Sequence, residues 1–228
     1  MNSTHRILLC GDTAISIEFG DGIDPAVNSL VRRLHLQLKS GNYPGIIDLN
    51  PTYRSLFVQY DPWVCSFERL VAIIEENLPF VESSRDEASV VKDIPVCYGE
   101  KFGPDLEQVA ALHALDTEEV IRLHCSPLYR VYMIGFTPGF AYLGGLDERL
   151  HTPRKKEPRK RVPAGSIGIA DRQTGIYPIE SPGGWQLIGR THLKLFDPER
   201  ETPFFLEAGD LVRFRPIGGE EFEKHYRP

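Results

Sequence analysis

The chain has 228 residues, 41% hydrophobic and 10% aromatic, enough for one large or two small cored domains. Its formal charge of -6 argues against a general nucleic-acid binder, which needs a basic face. No apolar run approaches the roughly 18 residues of a membrane helix, and no signal-peptide core opens the chain. Cys10, Cys65, Cys97 and Cys125 lack C-x-x-C spacing. The expectation is a cytoplasmic protein with reduced thiols and neither nucleic acid nor membrane as partner.

In chain order, Arg6–Cys10 and Ala14–Phe19 read as strands around Gly11-Asp12. Asp24-Pro25 opens a helix with Val27, Leu30, Val31, Leu34 and Leu38 on one face, and Gly41 ends it. Ile46–Leu49 and Tyr53–Tyr60 are two further strands; a helix capped by Ser66 follows, and the unit closes near Pro79. The order β-β-α-β-β-α predicts an N-terminal α+β domain over residues 1–82, a ferredoxin-like sandwich with its helices on one side. The polar stretch 82–89 is the expected boundary before a second domain over residues 90–228.

Val90–Val96 resumes as a strand whose Pro95 marks an edge or a strand end. Helices are expected from Pro104 to Leu115 and from Thr117 to Cys125, the second with capping-box spacing between Asp116 and Glu119. From Leu128 onward helix signals vanish. Short apolar runs alternate with Gly and Pro: Arg130–Ile134, Ser166–Ala170, Ile176–Ile179, Trp185–Ile188, Leu193–Phe196, Phe204–Leu206 and Leu211–Phe214. Such a succession predicts a mainly β closed barrel or sandwich.

The densest chemistry lies between Gly135 and Arg190. Six of the eight residues from Arg154 to Arg161 are cationic in an acidic chain. Proline precedes both Arg154 and Arg159 and stiffens the backbone there, and arginine offers a planar fork to carboxylate or phosphate. An anion site at Arg154 and Arg159 is favoured, with Lys155, Lys156 and Lys160 as solvated loop residues. Ala164-Gly165-Ser166-Ile167-Gly168 imitates a nucleophile elbow, but no helix follows, so Ser166 reads as a hydrogen-bonding turn residue. Gln173, Thr174, Tyr177, Ser181, Trp185 and Arg190 mix donors and aromatic faces among glycines, which suits equally a small polar ligand with a carboxylate or amide and an irregular barrel that needs tight turns. The histidines show no metal spacing, and no metal is expected. Neither a P-loop nor a dinucleotide fingerprint occurs, so any nucleotide is held in another way.

The run Gly135-Phe-Thr-Pro-Gly-Phe-Ala-Tyr-Leu-Gly-Gly-Leu resembles the family that contains the B subunit of 5-oxoprolinase, the kinase A inhibitor of sporulation and subunit 1 of allophanate hydrolase. The likeness continues through Thr152-Pro-Arg, Pro158-Arg159, Val162-Pro-Ala-Gly-Ser, Gln173-Thr-Gly-Ile-Tyr-Pro and Ser181-Pro-Gly-Gly-Trp to Ile188-Gly-Arg-Thr, and upstream to Tyr98-Gly, Gly103-Pro-Asp-Leu and Tyr129-Arg-Val-Tyr. The resemblance implies a cyclophilin-like barrel after the α+β domain. It implies a component of ATP-dependent 5-oxoprolinase, which opens 5-oxo-L-proline to L-glutamate, with the A and C subunits of that enzyme as partners. ATP, with or without Mg, would be bound, on this reading at a subunit interface. Arg154 and Arg159 would be catalytic, neutralising a transferring phosphoryl group. Phe140, Tyr142, Ser166, Gln173, Tyr177, Gly183, Gly184, Trp185 and Arg190 would bind the substrate. The same resemblance leaves two alternatives: an inhibitor that docks on a sporulation histidine kinase, and a component of a urea or allophanate pathway. The loops Thr137–Gly145, Arg154–Ser166 and Gln173–Arg190 are expected to converge on one polar cleft, with both arginines at its anionic end.

Overall fold

The computed structural model describes residues 5–22, 24–83 and 90–226. The chain divides into two compact units, Met1–Ala88 and Ser89–Pro228. Most of the polar stretch at 82–89 lies outside the described residues.

The first unit runs β1 (Arg6–Leu9), β2 (Ala14–Glu18), α1 (Pro25–Gly41), β3 (Ile46–Pro51), β4 (Ser55–Tyr60) and α2 (Phe67–Ser83). Its strands form an antiparallel sheet in the order β1-β2-β4-β3. Alternation decides which face is covered: Ile15 and Ile17 of β2, and Leu56, Val58 and Tyr60 of β4, are buried with Val31, Leu34 and Leu38 of α1 and Leu70 and Ile74 of α2. Asp24 caps α1 by accepting from the amides of Ala26 and Val27.

One expected helix end moves. Gly41 lies inside α1, and Asn42 takes the left-handed turn at φ 43°, which asparagine tolerates better than most residues. Gly41 is small for a packing reason, since a Cβ there would collide with the Tyr43 ring. Pro79 does not end α2, because Leu78 and Val81 are both buried in the shared core and hold the last turn in place.

The second unit contains β5 (Val91–Tyr98), α3 (Leu106–Leu112), α4 (Thr117–Cys125), β6 (Tyr129–Ile134), β7 (Ala141–Gly144), β8 (Arg159–Val162), β9 (Ser166–Ala170), β10 (Gln173–Ile176), β11 (Ser181–Gly183), β12 (Gln186–Arg190), β13 (Leu211–Pro216) and α5 (Gly219–His225). Seven strands close into a barrel in the order β10-β7-β6-β13-β5-β12-β9, and β8 pairs with β11 in a separate two-stranded sheet. Only the β5–β13 pair is parallel among the barrel pairings of the described residues. Pro95 is tolerated within β5 because β12 joins that strand only at Cys97 and Tyr98. Several sequence expectations shift here. Strands β7 and β8 lie where loops were expected, and α5 lies where helix signals had vanished. Leu193–Phe196 and Phe204–Leu206 meet only in a single bridge between Phe196 and Phe204.

Inward-facing Ile94, Val96, Val131, Ile167, Ile169, Ile176, Ile188 and Phe214 belong to the barrel core. His124 of α4 is buried among them, stacked on Phe214 at 4.5 Å. Thr174 donates to the Gly168 carbonyl at 3.0 Å, so it must accept from His124 Nε2 at 2.9 Å. His124 Nδ1 therefore accepts from the Tyr98 hydroxyl at 2.8 Å, which leaves the Cys125 thiol to donate to Tyr98 at 3.3 Å. This chain of neutral groups satisfies the buried imidazole, and burial pushes the His124 pKa down to about 3. Asp116 caps α4 by accepting from the Glu119 amide at 2.7 Å.

Candidate functional site

On the outer face of strands β7, β10, β9 and β12, the side chains opposite the barrel core form a second cluster: Phe140, Val162, Ala170, Tyr177, Trp185 and Leu187, with Tyr142 packed against it. The sequence makes room for it with glycine. Gly168 and Gly175 face each other across β9 and β10. A Cβ on Gly168 would lie 2.9 Å from Trp185 Cβ, and one on Gly175 would lie 2.8 Å from Trp185 Cζ3. Bare backbone thus forms a trough in which the indole lies. The aromatic rings meet edge to face, with Phe140 at 5.4 Å from Trp185, 5.1 Å from Tyr177 and 4.8 Å from Tyr142.

Above this floor opens a cleft of about 330 Å³ lined by Phe136, Phe140, Tyr142, Arg154, Lys155, Pro158, Tyr177, Pro182, Gly183, Gly184 and Trp185. All three expected loops reach it. Its walls are more aromatic than polar, which corrects the expected character of the cleft. The basic loop is tied to the opposite wall where the Lys155 amide donates to the Gly184 carbonyl at 2.7 Å.

The two arginines part company. Arg154 borders the cleft, and its Nε lies 3.3 Å from Asp171 Oδ2 in an exposed ion pair, the kind that contributes little and is readily exchanged. Arg159 does not line the cleft. Its Nη2 donates to Asp105 Oδ1 at 2.7 Å, and Lys155 Nζ donates to the same oxygen at 3.0 Å. The reading of Lys155 as a solvated loop residue is therefore corrected: the residue borders the cleft and its ammonium is held by a carboxylate. Burial is the largest influence on Asp105 and acts to raise its pKa. Bonds from Arg159, the Leu187 amide and Lys155 together outweigh it, and the carboxyl stays below the usual range.

Of the other expected site residues, Phe140, Tyr142, Tyr177, Gly183, Gly184 and Trp185 line the cleft. Ser166, Gln173 and Arg190 do not. Ser166 donates to the Pro163 carbonyl at 2.7 Å, as a turn residue should. Arg190 Nε donates to the Ala164 carbonyl at 2.7 Å, and its guanidinium lies 5.0 Å from the centre of the Tyr226 ring. Gln173 starts β10 opposite Ala170. Burial pushes the Tyr177 pKa up to about 12, partly offset by a hydrogen bond from the Trp185 backbone, so this phenol is neutral at physiological pH.

Residues 5–206 match the family model of the carboxyltransferase domain, subdomain C and D. The chain belongs to that family. It is 42% identical to the B subunit of 5-oxoprolinase from Bacillus subtilis (strain 168), over 99% of this chain and 98% of that protein. Against the B subunit of 5-oxoprolinase from Escherichia coli O157:H7 the identity is 43%, over 92% of this chain and 95% of that one. The crystal structure of TTHA0988 is similar with a TM-score of 0.82 and 41% identity, over 90% of this chain and 40% of that longer chain.

In this carboxyltransferase-family chain, sequence reasoning missed Phe136, Pro158 and Pro182 as cleft walls and Asp105 as the partner of the basic loop. Phe136 carried a signal, being a large apolar residue inside the Gly135-Phe-Thr-Pro-Gly run; the structure holds it at a positive φ of 65°. Asp105 stood in the family-like run Gly103-Pro-Asp-Leu, but nothing local tied it to Arg159, which lies several of the barrel's elements further along the chain.

Proposed function

We propose that this chain is the lactam-binding B subunit of a 5-oxoprolinase, which opens 5-oxo-L-proline to L-glutamate together with its A and C subunits. One observation carries the reading: an aromatic cleft holds a single loosely paired cation, Arg154, at its rim. The proposed ligand is a five-membered ring with one carboxylate. Its ring faces would lie against Trp185 and Tyr142, and its carboxylate would exchange with Asp171 for the Arg154 guanidinium. Tyr177 stays protonated and supplies a neutral dipole beside the ring. The names of the relatives favour this reading over kinase docking or a urea pathway.

The cleft does not fit a nucleoside triphosphate. Lys155 and Arg159 are committed to Asp105, which leaves Arg154 as the cation at the cleft whose partner is exposed. One guanidinium is a poor match for the charge of a triphosphate. We assign ATP to a partner in the complex and the lactam to this chain. Its four cysteines are unbridged, in keeping with a cytoplasmic enzyme. Among the described residues no helix is long and apolar enough to cross a membrane. The N-terminal unit is assigned to the ferredoxin-like sandwiches and the barrel to the cyclophilin-like class.

The test is co-expression with candidate A and C subunits, followed by measurement of glutamate released from 5-oxo-L-proline with and without ATP. ATP-dependent glutamate from the assembled complex is expected. A stable complex that releases none refutes the reading.

A further inference from the structure

Asp105 is 3% exposed, yet it stands at the start of α3 without capping that helix through its side chain. Aspartate in such a place ordinarily turns its carboxylate back onto the first helical amides. Here the carboxylate turns away. Oδ1 takes Arg159 and Lys155, and Oδ2 accepts from the Leu187 amide at 2.7 Å. The Asp105 amide in turn donates to the Leu187 carbonyl at 2.9 Å. One residue thus grips β12 twice, two positions beyond Trp185, and grips the basic loop on both sides of Pro158. The Lys155–Gly184 backbone bond completes the ring. Six cations in eight residues repel one another, and the Asp105 carboxylate pairs with two of them.

We propose that Asp105 is a positioning residue that fastens the basic loop against the strand that follows Trp185, so that Arg154 and Pro158 form a fixed wall of the cleft. The inference rests on the lactam reading for its ligand and on the anchoring geometry for the rest. Bare electrostatics and anchoring predict opposite signs for removal of the carboxylate. If only charge matters, loss of an anion near the cleft tightens binding of a carboxylate ligand. If anchoring matters, the wall loses its preorganisation and binding weakens.

The full chain carries two tryptophans. In a Trp63→Phe background, Trp185 becomes the sole indole reporter. 5-Oxo-L-proline is titrated against its fluorescence in the parent and in Asp105→Asn. In parallel, limited trypsin digestion follows cleavage after Lys155 and Lys156 by mass spectrometry, with cleavage after Arg213 in β13 as the control for unfolding of the barrel. Expected for Asp105→Asn are tenfold or greater loss of affinity and at least fivefold faster cleavage in the loop, with the Arg213 site unchanged. Equal or tighter binding overturns the proposal, and so does unchanged loop cleavage. If the parent shows no response to 5-oxo-L-proline, the lactam reading fails, and loop cleavage alone decides the anchoring. Should Asp105→Asn fail to fold, Asp105→Glu takes its place. The carboxylate is kept but misplaced by one methylene, so faster loop cleavage supports anchoring and parent-like cleavage overturns it.

Discussion

Arg154 and Arg159 share one basic run but meet different partners, so their substitutions should fail in different ways. Arg154→Ala removes an exposed guanidinium and should weaken 5-oxo-L-proline binding about tenfold, the effect of losing one charge-assisted contact, while the melting temperature holds. Arg159→Ala leaves the buried Asp105 carboxylate with the Leu187 amide and Lys155 as its one cation, and should cost about 1.5–3 kcal/mol of stability, read by denaturant unfolding. An outcome in which the two variants behave alike would contradict the separation of roles. Gly175 is the second test at this scale. With 2.8 Å to the indole and 3.1 Å to the Ala141 carbonyl, Gly175→Ala should cost about 1–3 kcal/mol through overpacking and shift the Trp185 emission. Glycine density was readable as a mark of close approach. That part of what approaches is the protein's own tryptophan was not, because residues 168, 175 and 185 meet only after β9, β10 and β12 pair.

At the scale of elements, α4 inserts a neutral imidazole into the barrel. His124 has a folded pKa of about 3 against an ordinary value of 6.5, so the unfolded chain binds the extra proton more readily. Its contribution is complete above pH 6.5 and is lost as the pH falls toward 3, by up to about 1.4 kcal/mol per pH unit. Urea unfolding of the barrel unit between pH 7 and pH 4 should show this slope. His124→Phe should flatten it while lowering stability at pH 7, since Tyr98 and Thr174 lose their partner. A slope unchanged in His124→Phe would assign the acid sensitivity to other groups. His192, whose pKa is lowered by burial and by His225, acts in the same direction and remains in the variant. Several elements were legible because their signals are local. Asp24-Pro25 opens α1, and Asp116 opens α4. By contrast, β8 was hidden under its charges, since Arg159, Lys160 and Arg161 have no strand preference of their own and pair only because β11 is there. Helix α5 did carry a readable pattern: Glu220 and Glu221 in its first turn, Lys224 and His225 in its last, and a buried Phe222 between.

At the scale of the whole molecule, each unit has its own hydrophobic core. A fragment of residues 90–228 should therefore unfold cooperatively and keep its response to 5-oxo-L-proline, checked by thermal melting and by Trp185 fluorescence. A fragment without a cooperative transition would show that the barrel depends on the first unit. The sequence by itself determined the two-part organisation, the N-terminal helical caps, the mainly β character after Leu128, and the three loops that reach the cleft, because these depend on hydrophobic period, capping chemistry and Gly-Pro spacing within short windows. Only the tertiary structure decided that β5 lies beside β13 and closes the barrel, that the cleft is walled by aromatic rings, and that Asp105 holds Arg159 and Lys155 in place beside it. All three depend on contacts between residues that different elements bring together; the Asp105 pairs lie fifty or more positions apart, and no local propensity specifies which distant carboxylate a cation will find.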